Sequence, residues 1–194
     1  MSGTLFPGWR PDAAGRERLQ AVVASLAAAR PADGPGLQLR RPDQWHVTLC
    51  FLGYDLRHKV TPSLLEAFAD VAARIPPHAF AIERLACWRQ SGVIVALPRP
   101  CDALQALCEA THAAARRCGI PAEKPTGQPH VTLAYVPRGL EAQPWLDGVD
   151  CSGAPLRVAG FELLFNPGGR YEALGEWPLT GGALPQPPSQ PSLL

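Results

Sequence analysis

"HVTLCFLG" at residues 46–53 and "HVTLAYVP" at residues 130–137 open with the same four letters. A duplicated core strand has to repeat only its apolar letters, because burial constrains hydrophobicity and volume and leaves identity free. A histidine and a hydroxyl repeated at matched positions answer to a different constraint. Side chains alternate between the two faces of a strand, so His46, Thr48 and Cys50 are predicted on one face and Val47, Leu49 and Phe51 on the other. His130 and Thr132 share a face by the same rule.

Working outward, "RERLQAVVASLAAAR" carries Leu19, Val22, Val23 and Leu26 at the spacing of one helical face. "TPSLLEAFADVAARI" opens with a capping Thr and a Pro suited to the first helical position. "CDALQALCEATHAAARRCG" stops at Gly119, a helix C-terminal signal. "GTLFPGW" reads as a short strand that ends at Pro7 or lies on an edge. "AFAIERLACW" and "GVIVALP" are predicted as two strands joined at "RQSG", and "LRVAGFELLF" and "YEALGEWPL" as two more joined at the turn "NPGG". The predicted class is α+β: two lobes related by an approximate two-fold, with largely antiparallel sheets lining a central groove and helices packed outside. Residues 1–180 are predicted to form one bilobal domain, and the Pro-rich, charge-free segment 181–194 a disordered tail.

The chain has 194 residues and a formal net charge of +1, with 46% hydrophobic and 18% charged residues. That length buries roughly 70% of the unfolded surface without disulfide or metal staples. The near-neutral charge argues against a protein that grips long nucleic acids by counterion release, and leaves room for a small phosphate-bearing ligand. The six cysteines form no C-x-x-C pair or zinc-ribbon spacing and are predicted to be free thiols in a reducing compartment. No basic-then-apolar leader opens the sequence and its longest apolar run is too short to span a bilayer, which predicts a soluble, cytoplasmic protein.

If the two motifs are related by a two-fold axis, both His-x-Thr faces look into one groove. Two imidazoles on opposite sides of a bound group can act as general base and general acid, since a pKa near 6.5 leaves one neutral and one charged near neutrality. The two threonine hydroxyls can donate to anionic oxygens. Such a set suits in-line displacement at phosphorus with no metal ligand required. His58, His78 and His112 have no matching partners and are predicted at the surface. The pairs Arg40 and Arg41, and Arg116 and Arg117, read as solvated faces, with guidance of an RNA end into the groove as the alternative for one of them, and Lys124 is a candidate phosphate contact. No P-loop, nucleophile-elbow, H-E-x-x-H or dinucleotide-binding template occurs.

The paired motifs, 84 residues apart, resemble those of the two-histidine (2H) phosphoesterases, in particular the bacterial RNA 2',3'-cyclic phosphodiesterases also called 2'-5' RNA ligases. "WHVTLCFLG", "GVIVALP", the helix ending at Gly119, "PHVTLAYV" and "FELLFNPGGRYEALGEWPL" follow in the family's order. The resemblance implies that His46 is the general acid on the leaving 3'-oxygen and His130 the base that activates water. It also implies that Thr48 and Thr132 bind the phosphate, that Phe51 stacks on a base, and that the product is a 2'-phosphomonoester made without cofactor or metal. The implied substrates are RNA 3' ends or small cyclic nucleotides, acted on by a monomer with no stable protein partner. Two positions depart from the family. Tyr135 stands where bacterial members commonly carry Arg, with Arg138 three residues on, and Asn166 stands near a frequent Ser. Tyr135 can stack instead. Other readings stay open on sequence grounds: another cyclic phosphate or a 2'-5' linkage as substrate, a non-catalytic RNA-end or nucleotide binder, or a metallohydrolase with both histidines as ligands.

Overall fold

The computed structural model describes residues 3–34 and 36–182. Along the chain these form β1 (Thr4–Trp9), α1 (Ala13–Ala29), β2 (Gln38–Leu39), β3 (Val47–Thr48), β4 (Gly53–Tyr54), α2 (Pro62–Arg74), β5 (His78–Phe80) and β6 (Ile82–Trp88). There follow β7 (Val93–Pro98), α3 (Asp102–Arg117), β8 (Val131–Tyr135), α4 (Gln143–Leu146), β9 (Leu156–Val158), β10 (Gly160–Asn166) and β11 (Glu172–Pro178). Most of the tail, from residue 183 on, lies outside the described residues.

The helices form where caps and apolar stripes coincide. The Asp12 carboxylate accepts from Gly15 N at 2.8 Å to start α1, and Thr61 Oγ1 accepts from Leu64 N at 3.3 Å to start α2, with Pro62 in its first turn. Past α3 the chain turns at Gly119, whose φ of +75° is the left-handed conformation that glycine adopts without a Cβ penalty. Leu19, Val22 and Leu26 of α1, Leu64, Phe68 and Val71 of α2, and Leu104, Leu107 and Cys108 of α3 join one core with Val47, Leu49, Val131 and Leu133. The helices therefore cover the sheet face to which the two valines point. The opposite face carries the histidines.

The main sheet runs β11-β10-β1-β3-β8-β7-β6, with β2 beside β8 and β4 beside β1, and its pairings are antiparallel. Outward from its centre, β3 faces β8, β1 mirrors β7 and β10 mirrors β6. The unit β1-α1-β3 thus recurs as β7-α3-β8. This is the expected mixed α+β architecture with pseudo-two-fold order, and its axis passes between the two motif strands.

Several local expectations are corrected. "AFAIERLACW" and "LRVAGFELLF" each divide in two, at Ala81 and Ala159. The short pieces β5 and β9 leave the main sheet and pair with each other. Both breaks are braced alike: Ala81 O accepts from Arg99 N at 2.9 Å and Ala159 O from Leu179 N at 2.8 Å. A change of sheet preserves period-two alternation, so the sequence pattern carries no trace of it. β1 continues through Pro7 at the sheet centre, between β10 and β3. Pro7 O accepts from Leu49 N at 2.9 Å, so the missing N–H also faces residues 49–52, where the ladder is already irregular. His78 and His112 are half-buried and not superficial: His78 Nδ1 meets Pro76 O at 3.0 Å and His112 Nε2 meets Ala122 O at 3.2 Å. All six cysteines are free. Among the described residues no helix is long and apolar enough to cross a membrane.

Candidate active site

β3 and β8 are neighbours at the centre of the sheet and pair through Val47 and Val131. In that antiparallel register His46 lies across from Thr132, and Thr48 across from His130. Val47 and Val131 are 0% and 1% exposed, so they point into the helix-covered core. The four flanking residues therefore share the groove face, each histidine beside the other motif's threonine. The duplicated letters are answered by this quartet: the repeat is the two-fold image of one half-site in the other.

The rings are held alike. His46 Nδ1 lies 2.9 Å from Gln44 O, and His130 Nδ1 lies 2.9 Å from Gln128 O. A carbonyl can only accept, so each contact puts a proton on Nδ1 and leaves Nε2 as the titrating nitrogen. Their surroundings differ. His46 packs against Phe6 and Tyr171, each with its ring centroid 5.0 Å away, and His130 stands edge-on to Trp88 at 4.4 Å.

Burial lowers the pKa of both rings. His46 is pushed down to about 4, chiefly by burial, with the nearby charges of Arg40, His130 and Arg10 adding to the shift and the Gln44 bond opposing it. His130 is also lowered by burial, against the pull of its Gln128 bond. The expectation of one neutral and one charged ring near pH 7 is thus corrected for the free protein, in which both are neutral.

Bulges on either side of the quartet set what flanks it. On β8, Thr132 pairs with Val95 and Ala134 with Ile94, which leaves Leu133 as an extra residue. One extra residue resets the alternation, so Tyr135, opposite Val93, returns to the face of Thr132. In the first motif Thr48 pairs with Gly8 but Gly53 pairs with Leu5, an excess of two residues. Leu49 and Cys50 are both fully buried there, and Phe51 is 43% exposed. The predicted placement of Cys50 beside His46 and Thr48 is therefore corrected: the bulge turns its thiol into the core and presents Phe51.

The surroundings of the two motifs differ. Phe51, Tyr54, Lys124 and Thr126 line a cavity of about 600 Å³ between the 51–56 and 121–127 segments. Thr126 N donates to Leu49 O at 3.3 Å, tying the second segment to the first motif. By His46, Arg40 donates to the hydroxyls of both Tyr135 and Tyr171. Arg138 lies exposed in the turn beyond Tyr135, with its backbone beside Gly92, and is not brought to the quartet. Asn166 is occupied as a turn cap, its Oδ1 accepting from Gly168 N and Gly169 N at 3.0 Å each. Among the described residues no three His, Cys, Asp or Glu side chains gather where they could hold a metal ion.

Sequence reasoning missed Phe6 and Trp88 as ring neighbours of the histidines, gave Tyr171 no role beyond its place in the closing strand pair, and read Arg40 first as part of a solvated face. Nothing near Phe6 or Trp88 in the sequence marks them. They reach the site through strand register, the only available signal being the aromatic Tyr135 in place of a cation.

The family model of the 2'-5' RNA ligase superfamily matches residues 11–164. No curated protein matches the sequence. Among solved structures, TT0787 of Thermus thermophilus is similar with a TM-score of 0.68 and 25% identity, covering 93% of this chain and 100% of that one. Escherichia coli LigT in its apo form gives a TM-score of 0.64 and 23% identity over 92% of this chain and 98% of that one. Its complex with 3'-AMP gives 0.62 and 23% over the same shares. The likeness to LigT speaks for the fold, and the family match spans both His-x-Thr motifs with the helices and strands that bring them together. The chain belongs to the 2'-5' RNA ligase superfamily, the two-histidine phosphoesterases.

Proposed function

We propose that the protein hydrolyses the 2',3'-cyclic phosphate ends of RNA or nucleotides to 2'-phosphomonoesters by paired-histidine acid–base catalysis. Membership of the superfamily supports phosphoesterase activity. The observation that carries the finer reading is the quartet centred on Val47 and Val131, with both Nδ1 atoms tied to carbonyls and both Nε2 atoms left to exchange protons. In the reaction His130 Nε2 takes a proton from water as its oxygen attacks phosphorus. The P–O3' bond breaks, and O3' takes the proton of His46. Thr48 and Thr132 donate hydroxyls to the equatorial oxygens, where charge is held through the transition state. The aromatic cavity at Phe51, with Lys124 on its rim, suits a nucleobase of any identity. A nucleotide ligand accords with LigT, which has been crystallised with 3'-AMP.

The test is incubation with adenosine 2',3'-cyclic phosphate in excess chelator, followed by identification of the product isomer. Adenosine 2'-phosphate is expected at the full rate. His46→Ala and His130→Ala should each fold and lose about two to four orders of magnitude in turnover. Wild-type turnover in either variant, or activity that vanishes with chelator, would refute the proposal.

A further inference from the structure

Arg40 is the cation that the quartet's surroundings leave unexplained. Its Nη1 donates to the Tyr135 hydroxyl and its Nη2 to the Tyr171 hydroxyl at 2.6 Å, with the guanidinium 5.6 Å from the centroid of the Tyr135 ring. Its Nε is buried without a hydrogen-bond partner, and among the described residues no carboxylate lies within ion-pair distance of it. A half-buried guanidinium held only by neutral hydroxyls is costly unless an anion completes it. The tyrosines point the same way. Arginine has no acceptor, so each hydroxyl must accept from Arg40 and keeps its own proton free to donate elsewhere. One guanidinium and two phenol hydroxyls therefore meet with no anion among them.

Position suggests what the anion is. From Thr132 to Tyr135 the groove face advances by two paired positions, Val95 and Val93, which is ~7 Å along the strand. That is about one phosphate-to-phosphate step of a nucleotide chain away from the quartet. The direction agrees: if His46 protonates the departing 3'-oxygen, the ribose and its 5' side lie on the His46 side of the phosphorus, where Tyr171 stands against the His46 ring. We propose that Arg40, Tyr135 and Tyr171 form a second phosphate subsite that holds the phosphate on the 5' oxygen of the terminal nucleotide. The preferred substrate is then a 5'-linked cyclic end and not a bare nucleoside cyclic phosphate. This inference rests on the function proposed above.

The experiment compares kcat/KM on adenosine 2',3'-cyclic phosphate and on its 5'-phosphorylated form. In parallel, calorimetry compares the affinities of adenosine 2'-phosphate and adenosine 2',5'-bisphosphate, which requires no turnover. The wild type should favour the 5'-phosphorylated member of each pair by about 10–100-fold. Arg40→Gln should bring both ratios to about 1, and Tyr171→Phe, which keeps the ring against His46, should lower them part of the way. A wild-type ratio near 1, or an Arg40→Gln loss equal on both substrates with the ratio preserved, would overturn the subsite. A protein inactive on both cyclic phosphates that still binds the bisphosphate more tightly through Arg40 would keep the subsite and refute the proposed reaction.

Discussion

Filling the groove with an anion should load His46 with a proton, and the size of the effect can be worked from the site. With a pKa of about 4 in the free protein, the ring is only ~1% protonated at pH 6. A unit negative charge ~4 Å from the ring, in the effective dielectric of about 20 that suits protein sites, contributes ~4 kcal/mol, or about 3 pKa units. The pKa then approaches 7 and the ring becomes ~90% protonated at pH 6. Binding of a non-titrating anion should therefore take up close to one proton at His46, in addition to any taken up by His130. The assay is calorimetric titration with sulfate at pH 6 in buffers of differing ionisation enthalpy, the slope of the observed enthalpy giving the protons taken up. His46→Gln should lower the uptake by close to one proton. No dependence on buffer in the wild type would mean that the acid is uncharged in the filled site, and His46 could not then protonate a leaving oxygen in the way proposed.

Two further outcomes are expected. Thr48→Val and Thr132→Val keep side-chain volume while deleting a hydroxyl, and each should lower kcat by about 10–100-fold with thermal unfolding little changed; a loss under twofold in both would show that the hydroxyls do not meet the developing charge. The second concerns acid stability. The folded pKa of His46, about 4, lies below its unfolded value of 6.5, so its contribution is full above pH 6.5 and is lost as pH falls toward 4, amounting to ~3 kcal/mol in all. Denaturant unfolding at pH 7 and pH 4.5 should show the wild type losing at least ~2 kcal/mol more than His46→Gln; equal losses would contradict the burial argument.

The quartet was legible in the sequence because strand alternation puts residues two apart on one face, and His-x-Thr uses that spacing twice. The long helices were legible for a similar reason: a stripe such as Leu19, Val22 and Leu26 and a cap such as Thr61 act within one or two turns. What escaped depends on register between distant segments. Cys50 was misplaced because a bulge is decided by how two strands meet, and one strand's letters do not specify it. The pairing of β5 with β9 joins segments with identical alternation before and after the break. Arg40 lies on no motif, and its place is set by β2 pairing with β8, which brings it to a tyrosine 95 residues away.

Duplication explains the centre of the site, while the proposed reaction would explain why its surroundings are not symmetric. In-line displacement places similar oxygens at the two apical positions, one gaining a proton and one losing it, so one His-x-Thr motif can serve either side. Identical surroundings would, however, give the two rings equal proton affinity and no preference for which acts as acid. The structure separates them: His46 sits among Phe6, Tyr171 and Arg40, where a neutral ring is favoured until an anion arrives, whereas His130 stands beside Trp88 with no cationic side chain among the causes of its shift. The residues five places beyond each histidine diverge in the same sense, Phe51 toward an aromatic cavity and Tyr135 toward Arg40. The proposed substrate, with a base on one side and a charged chain on the other, would call for that divergence. In this molecule the bulges do what the motifs cannot, turning one residue of each copy back into the groove so that equal half-sites end in unequal neighbours.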